Sequence, residues 1–350
     1  MSKNEYSFEW AVIGAGPAGI LAVGKLIDAG VDPKAIAWID PAFKVGDLGG
    51  LWRTVSSNTK VHLFQKFLQG CTAFKYKEAQ QDFDINHFKG NQTCDLCYIA
   101  DPLQWISDHL TETVTIFDDQ ANHLVLAKRA WQITLSSTNI AAKNTVLAIG
   151  SEPKVLPCLR PSTIPLCNAL DRKRLAQVCQ ADEVVAVFGS SHSAILVIKN
   201  LVEQGVKRMI NFYREPLRYA VELDDWILFD DTGLKGKTAE WAREHIDGQW
   251  PKGLERFISS QEHLTQYLPE CDKAIYAVGF ERRHLPIVAG LESMQYNAQS
   301  GIIAPGLFGI GIAFPECREN PFGIKEYAVG LWKFMTYIDR VLPVWMKYGT

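Results

Sequence analysis

The sequence predicts an α/β protein with two domains, each built on a parallel sheet. Three observations predict this. An apolar strand leads through a glycine turn into an apolar helix over Phe8–Leu26, and the same order recurs over Glu183–Leu201. The proline-rich passage Pro153–Pro165 lies between the two units and is the best linker candidate. The length of 350 residues also exceeds what one hydrophobic core usually serves.

The first unit begins with the buried strand Phe8–Ile13, and a turn with three glycines leads into the apolar helix Ile20–Leu26. The next strand, Ala35–Ile39, ends in Asp40 and completes a βαβ unit. In such a turn the first glycine permits the bend, the second lets the backbone approach a pyrophosphate, and the third lets the helix pack closely. The helix N-terminus faces the phosphates, and the acid at the strand tip binds ribose hydroxyls. The residues predicted to bind a dinucleotide here are Gly14, Gly16, Pro17, Ala18, Gly19 and Asp40.

Four elements are predicted between this unit and the linker. The mixed stretch Val45–Gln81 is rich in glycine, serine and aromatic residues, which indicates loops with short helices. Asp101–Leu110 has the acidic start of a helix. Alternating residues within Val114–Thr134 indicate hairpin strands, and Asn144–Gly150 is a buried strand.

The second unit keeps only the first glycine of its turn. Gly189 follows the strand Glu183–Phe188, but Ser191 stands in place of the second glycine and Ala194 in place of the third. Serine restricts close approach although its hydroxyl can donate to a phosphate, so both a nucleotide site and a vestigial unit fit the pattern. The residues predicted to bind a nucleotide here are Gly189, Ser190, Ser191, His192, Ser193 and Arg214.

Two of these side chains have an alternative interpretation. Arg214 follows the strand Arg208–Tyr213, where an arginine suits a 2′-phosphate and favours NADPH over NADH, unless it is a solvated surface residue. His192 lies within the turn, where it either touches a phosphate or faces solvent at the start of the helix.

Four elements are predicted after the second unit. Asp224–Gln266 is polar and is predicted to be mostly helical. Ala274–Val278 is a strand that ends in Gly279, Leu307–Ile312 is the last strand, and Lys325–Val341 is a helix.

Composition is that of an ordinary globular protein. Hydrophobic residues make up 47% and charged residues 21%, which excludes a mostly disordered chain. The formal net charge of −3 and the lack of a basic tract give no reason to expect nucleic acid. No apolar run reaches the ~20 residues of a membrane span, and the polar segment Met1–Glu9 has no signal-peptide core. A cytoplasmic protein is expected.

Several short motifs accompany the two glycine turns. They are GAGPAG at 14–19, GGLW at 49–52, SNT at 57–59, and the glycine-ended strands at 144–150, 273–279 and 306–311. As a set they resemble the flavin-containing monooxygenase-like group. In that group the first motif is the FAD turn, the GGxW segment approaches the flavin, and an Asn-Thr stretch follows it. The strands at 144–150 and 273–279 resemble the group's two hinge strands, and the strand at 306–311 resembles its closing strand. That group belongs to the pyridine nucleotide–disulfide oxidoreductase superfamily of flavoproteins with two dinucleotide-binding domains. The resemblance covers nearly the whole chain.

The chain departs from that group at three places. The FxGxxxH signature before the second turn is not recognisable, since the corresponding stretch is Pro165–Ala169. Ile149 and Val278 stand where the hinge strands usually carry threonine.

The resemblance implies two Rossmann-like domains, with an NADPH domain inserted into a discontinuous FAD domain. The implied limits are 1–156 and 274–350 for the FAD domain and 157–273 for the NAD(P)H domain. FAD and NADPH are the implied cofactors. The further cofactor-binding residues that it implies are Gly50, Leu51, Trp52, Ala148, Gly150, Gly279 and Gly311.

The activity implied by the resemblance is that of an FAD- and NADPH-dependent monooxygenase. NADPH would reduce the flavin, O₂ would form a C4a-hydroperoxyflavin, and oxygen would pass to a soft nitrogen or sulfur nucleophile on a small substrate. Asn58 is the candidate for control of this oxygen chemistry, unless it caps a short helix that begins near Lys60. A reductase or oxidase without oxygen transfer and a non-catalytic nucleotide sensor stay open, as does a homodimer.

Cys94 and Cys97 form a CxxC pair that suggests a rival chemistry. Such a pair near a βαβ unit can be a redox dithiol, as in the disulfide oxidoreductases. It lies neither directly after Gly49-Gly50 nor shortly before Gly189, the two positions at which those enzymes carry it. The absence of neighbouring histidines also argues against zinc, so no metal is expected. Two ordinary thiols at the start of a helix are the favoured interpretation.

Overall fold

One mixed sheet and one all-parallel sheet organise the chain, and the α/β class is confirmed. The computed structural model describes residues 6–157, 161–224, 226–291 and 295–348, so residues 1–5 of the polar N-terminal segment lie outside it. Among the described helices, none has the length and apolar character that a membrane crossing needs.

The strands follow one another in this order: β1 Tyr6–Ile13, β2 Ile36–Ile39, β3 Ser56–Lys60, β4 Thr93–Asp95, β5 Thr115–Phe117, β6 Ala121–Ala127, β7 Ala130–Leu135, β8 Asn139–Leu147, β9 Ser151–Pro153, β10 Ser162–Thr163, β11 Val184–Phe188, β12 Arg208–Tyr213, β13 Val221–Glu222, β14 Ile227–Leu228, β15 Leu254–Ile258, β16 Lys273–Tyr276, β17 Phe280–Arg282, β18 Ile287–Val288, β19 Ile302–Ala304, β20 Leu307–Gly309, β21 Glu316–Glu319 and β22 Lys325–Ala328. The α-helices are α1 Pro17–Asp28, α2 Gly46–Gly50, α3 Val61–Gln69, α4 Cys97–Thr111, α5 Leu166–Ala169, α6 Arg172–Val178, α7 His192–Gln204, α8 Gly236–Ala242, α9 Gln261–Tyr267 and α10 Leu331–Tyr348.

The first sheet has a parallel half and an antiparallel branch. Its order is β18-β6-β7-β8-β1-β2-β5, and β20 pairs in parallel with the second half of β8. One face of β1 and β2 packs on α1, α3, α4 and α10 through residues such as Trp38 and Trp345. The other face packs on the β6–β7 branch through Trp131 and Phe314. Both faces are therefore covered, which explains why β2 is apolar at every position.

The second sheet is formed by residues that lie, along the sequence, between two strands of the first sheet. Its five strands have the order β10-β16-β11-β12-β15, and all the pairs are parallel. Helices α5–α8 pack on one face around Val187 and Ile198, and α9 packs near the other face around Phe212. The strand pair β9–β17 lies where the chain enters and leaves this second unit.

Several predicted elements have different bounds. The helix predicted over Asp101–Leu110 begins earlier, at Cys97, and the strand predicted over Asn144–Gly150 begins at Asn139. The stretch Val45–Gln81 contains a strand, β3, which pairs with β4. Within the stretch Val114–Thr134, predicted to form hairpin strands, β5 instead pairs in parallel with β2, so the hairpin consists of β6 and β7 alone.

Two predictions after the second turn are wrong. Asp224–Gln266 is not mostly helical, because β15 lies within it and forms the edge of the second sheet. The helix predicted to begin at Lys325 begins at Leu331, because Lys325–Ala328 pairs with β21 as a hairpin. Gly330, with a φ of +148°, separates that hairpin from α10.

Candidate functional site

The first glycine turn is held by backbone contacts at the carboxyl ends of β1 and β8. Gly14 has a φ of +110°, and a Cβ there would lie 2.3 Å from the carbonyl oxygen of Ala148. A Cβ on Gly19 would lie 1.8 Å from the carbonyl oxygen of Gly14. Both positions therefore require glycine for the packing of strand, turn and helix, whatever binds in front of them.

Gly16 differs from these two glycines. Its φ of −73° and ψ of 179° are open to any residue, and a Cβ there would meet only the Cα of Gly46, at an ordinary 3.9 Å. The protein itself does not require glycine here, so the space in front of Gly16 suits the close approach of a ligand. No side chain caps α1 and its first turn holds no acidic residue, which leaves the helix N-terminus suited to a pyrophosphate. These residues fit FAD.

Asp40 fixes the same turn. One carboxylate oxygen accepts from the Ala15 N–H at 2.7 Å, and the other accepts from the Ala42 and Phe43 N–H groups at 2.9 and 2.8 Å. A carboxylate has about four acceptor positions, so one is left for a ribose hydroxyl. The predicted ribose role thus comes together with a structural one, which ties the tip of β2 to the glycine turn.

Four other predicted residues are glycines whose surroundings differ. Gly311, with a φ of +88°, would place a Cβ 2.7 Å from the Cβ of Ala18. Gly50, Gly150 and Gly279 each face open space, since a Cβ on any of them would meet nothing within 4 Å. The glycines that follow β8 and β16 therefore leave room beside the turns.

Trp52 lies at the junction of the two units. It is half-buried, packs against the helix-covered core of the second sheet, and meets Phe280 edge to face with ring centroids 6.2 Å apart. Leu51, next to it, ends α2 and donates its N–H to the carbonyl of Asp47 at 2.7 Å. The GGLW segment is thus in contact with the second unit through Trp52.

The second turn reproduces the backbone geometry of the first. Gly189 has a φ of +121°, and a Cβ there would lie 2.3 Å from the carbonyl oxygen of Ala277. Ala194 stands in place of the third glycine, and its Cβ would lie 3.3 Å from a Cβ built on Gly189. Ser190 donates to the carbonyl of Glu215 at 2.9 Å. Ser191, Ser193 and Arg214 stay candidate ligands, and Ser191 and Arg214 are exposed.

Sequence reasoning missed Asn211, which holds the second turn. Its fully buried amide donates to the carbonyls of Val187 at 2.9 Å and Gly189 at 2.8 Å, and its oxygen accepts from the Nε of Arg256 at 2.9 Å. The guanidinium of Arg256 in turn lies over the ring of Tyr213, 4.7 Å from its centroid. The signal in the sequence is one asparagine inside the apolar strand Arg208–Tyr213.

His192 is half-buried and its imidazole contacts β3, so it does not merely face solvent. Its Nε2 lies 2.9 Å from the carbonyl oxygen of Ser56, in β3 of the first unit, and its Nδ1 is buried with no hydrogen-bond partner in the part of the chain that the structure describes. Burial lowers the pKa of His192, the contact with Ser56 opposes this, and the ammonium of Lys235 lowers it further. The reason for the difference is tertiary, because β3 packs over the turn.

Asn58 lies in β3 and lines a cavity of about 770 Å³ between the two units. The residue before α3 is Lys60 and no side chain caps that helix, so the capping alternative for Asn58 is wrong. The other lining residues come from the stretches 59–63, 91–93, 220–243 and 318–336. The volume is in the range of about 300–1,000 Å³ that small-molecule sites occupy.

Ion pairs close one wall of this cavity. Asp230 pairs with Lys235, and Lys333 pairs with both Asp230 and Asp231, the latter at 2.7 Å. Burial would raise the pKa of Asp230, but the hydrogen bonds from Lys235 and Lys333 outweigh it and lower that pKa. Because Lys333 belongs to α10, these pairs fasten the second unit to the first.

Cys94 and Cys97 are both free thiols. Cys94 lies in β4 and Cys97 is the first residue of α4. Burial raises the pKa of Cys94 to about 11 and also raises that of Cys97, which disfavours the thiolate that a redox dithiol needs. Among the described residues, no group of three or more histidine, cysteine or acidic side chains could hold a metal ion.

Comparisons with known proteins place the chain among monooxygenases. A family model described as L-lysine 6-monooxygenase/L-ornithine 5-monooxygenase matches residues 98–226. The monooxygenase AgnR1 of Paecilomyces divaricatus is 35% identical over 381 residues, which cover 96% of this chain and 97% of that protein.

Solved structures share the fold at low sequence identity. The flavin-containing monooxygenase from Stenotrophomonas maltophilia superposes with a TM-score of 0.64 at 12% identity, over 98% of this chain and 99% of that one. The L-lysine 6-monooxygenase from Pseudomonas syringae gives 0.66 at 15% identity, over 97% and 99%. The bacillithiol disulfide reductase Bdr from Staphylococcus aureus gives 0.63 at 10% identity, over 98% and 99%.

The different surroundings of Gly16 and Gly19 predict different outcomes for the same substitution. Gly16→Val is expected to leave the apoprotein folded but to abolish flavin retention, because the side chain fills the space in front of α1. Gly19→Ala is expected to destabilise the apoprotein itself by about 1–3 kcal/mol, because its Cβ overlaps the backbone. Thermal unfolding of the apoproteins and flavin absorbance per protein after FAD loading measure the two effects. Normal FAD occupancy in Gly16→Val would refute the assignment.

Proposed function

Because this chain belongs to the flavin-containing monooxygenase-like family, we propose that it oxygenates a soft nitrogen or sulfur nucleophile on a small molecule bound beside Asn58. In this proposal it is an FAD-dependent oxidoreductase that uses NADPH. The observation that carries the proposal is the cavity of about 770 Å³, which Asn58 lines together with residues of both units.

The two glycine turns divide the cofactors between them in this proposal. The first turn, with Gly16 and the N-terminus of α1, holds the FAD pyrophosphate, and Asp40 holds the adenosine ribose. The second turn and Arg214 hold NADPH. When bound, the flavin supplies the redox chemistry, by accepting a hydride from NADPH and then activating O₂. The chain contributes orientation, exclusion of water and hydrogen bonds.

Asn58 suits the control of oxygen chemistry because of what an amide can do. It offers a donor and an acceptor but does not titrate, so it can hold a polar oxygen species or a substrate without protonating it. Leu63, Leu331 and Trp332 give the same cavity apolar surface, which favours a substrate with an apolar body. The reaction then needs no catalytic acid–base pair from the chain.

The proposed domain limits follow the connectivity of the sheets. We assign residues 157–273 to the NADPH domain and residues 1–156 and 274–350 to the FAD domain. All strands of the second sheet lie within residues 162–276, between β8 and β20 of the first sheet, which supports an insertion near these limits. We also propose a cytoplasmic location and a homodimer. Light scattering of the holoenzyme tests the homodimer.

The activity is tested by mixing the FAD-loaded protein aerobically with NADPH and a panel of amines and thioethers. We expect NADPH oxidation to increase with a true substrate and the product to carry oxygen from isotopically labelled O₂. Stoichiometric hydrogen peroxide without any oxygenated product from the panel would instead favour an oxidase. A flavin that NADPH does not reduce would favour a nucleotide sensor.

Arg214→Ala is expected to weaken NADPH selectively. Loss of a charge-assisted contact to the 2′-phosphate costs roughly 1.5–3 kcal/mol, or about one to two decades in affinity. The KM for NADPH should rise by that factor while the KM for NADH hardly changes. Arg172→Ala, which removes the exposed pair with Glu203, is the matched control. Equal effects on both coenzymes would make Arg214 a structural residue.

Asn58→Ala is expected to uncouple the reaction. Flavin reduction should stay fast, while the ratio of product to NADPH consumed falls and hydrogen peroxide rises, because the cavity loses its amide. Asn91→Ala, an exposed asparagine on the same cavity, should leave that ratio unchanged. An unchanged product ratio in Asn58→Ala would remove this residue from the catalytic assignment.

A further inference from the structure

We propose that His192 is a positioning residue that links the bound nicotinamide dinucleotide to the bridging segment, residues 52–58. In this proposal its Nε2–H holds the carbonyl of Ser56, and its Nδ1 accepts a hydrogen bond from an N–H or O–H group of the dinucleotide. The proposal rests on the proposed function and goes beyond it, because it assigns the contact through which occupancy of the second turn reaches Asn58.

The first half of the link is present in the structure. His192 is the first residue of α7 and follows the second glycine turn directly. Its Nε2 lies 2.9 Å from the carbonyl oxygen of Ser56. A carbonyl oxygen can only accept, so Nε2 carries the hydrogen, and in the neutral ring Nδ1 is then an acceptor.

The bridging segment is in contact with the second unit at other points as well. Thr54 donates to the carboxylate of Asp171 at 3.0 Å, at the start of α6. Trp52 and Val55 pack against the helix-covered core of the second sheet. Although it lies in the first unit of the chain, the segment is therefore positioned by the second unit, and Asn58 in β3 is its last residue.

The second half of the link is an unused acceptor. Nδ1 of His192 is buried and has no hydrogen-bond partner among the described residues. A buried acceptor without a donor is uncommon in a folded protein and calls for a ligand or a water. A dinucleotide carries suitable donors in its ribose hydroxyls and its carboxamide, and His192 is the first residue of α7, whose N-terminus suits such a ligand. A small shift of the imidazole would let one of them reach Nδ1.

The charges around the imidazole favour its neutral form. From the segment before α8, Lys235 faces His192 and is itself paired with Asp230, while β3 contributes the uncharged carbonyl of Ser56. Protonation would replace the acceptor at Nδ1 by a donor. The link is therefore complete while His192 is neutral, and it is lost as the pH falls through a pKa that lies below the ordinary value of about 6.5.

The test compares His192→Ala with His192→Gln, which keeps a donor and an acceptor but does not titrate. Amide hydrogen exchange of residues 52–58 is measured on the FAD-loaded protein with and without NADP⁺, and on the apoprotein. We expect NADP⁺ to slow this exchange in the wild type and in His192→Gln but not in His192→Ala. His245→Ala, a change at a half-buried histidine of the same domain, is the control and should behave as the wild type.

The same variants are followed by anaerobic stopped flow. His192→Ala should slow flavin reduction at saturating NADPH by about tenfold, the effect of one lost hydrogen bond, while reoxidation of the chemically reduced enzyme is unchanged. The reduction rate of the wild type should fall at low pH, and that of His192→Gln should not.

NADP⁺-dependent protection that persists in His192→Ala, or identical pH profiles for wild type and His192→Gln, would overturn the proposal. If His192→Ala does not fold, the pH profiles of the wild type and His192→Gln still decide. Absence of any oxygenated product would refute the proposed function alone, because the exchange measurement needs only bound FAD and NADP⁺.

Discussion

The close approach of one backbone carbonyl to one glycine sets the geometry of each unit. The carbonyl of Ala148 leaves no room for a Cβ on Gly14, and the carbonyl of Ala277 leaves none on Gly189. In each unit this contact fixes where the first strand stops and at what angle the helix leaves it. The helix N-termini, the open glycines after β8 and β16, and the segment that bridges the two units are all placed relative to these two contacts.

The parts of the fold that were predictable are those that backbone sterics dictate locally. A strand, a turn with positive φ, an apolar helix and a second strand leave a pattern that one sequence shows, and both βαβ units were found from it. The strands β3 and β15 were missed because each is short and pairs with a strand that is distant in the sequence, whereas β22 was missed because it forms a short hairpin with β21. Pairing with a distant strand leaves no local signal, so tertiary contacts decided β3 and β15.

The same difference between local patterns and distant contacts explains which parts of the site could be predicted. Gly14 and Gly19 could be assigned because their chemistry follows from spacing, and Asn58 was singled out through a resemblance. The cavity beside Asn58 could not be predicted, since Asp231 and Lys333 meet there from different units. The placement of His192 was missed for the same reason, because only the packing of β3 over the second turn buries it.

The cavity draws its walls from segments that take no part in either glycine turn. Changes at residues 220–243 or 329–336 can therefore alter the surroundings of a molecule bound in this cavity while both glycine turns stay unchanged. One scaffold can in this way serve chemically different substrates. The ion pairs of Lys333 limit this freedom, because a change there alters how the two units close as well as what they enclose.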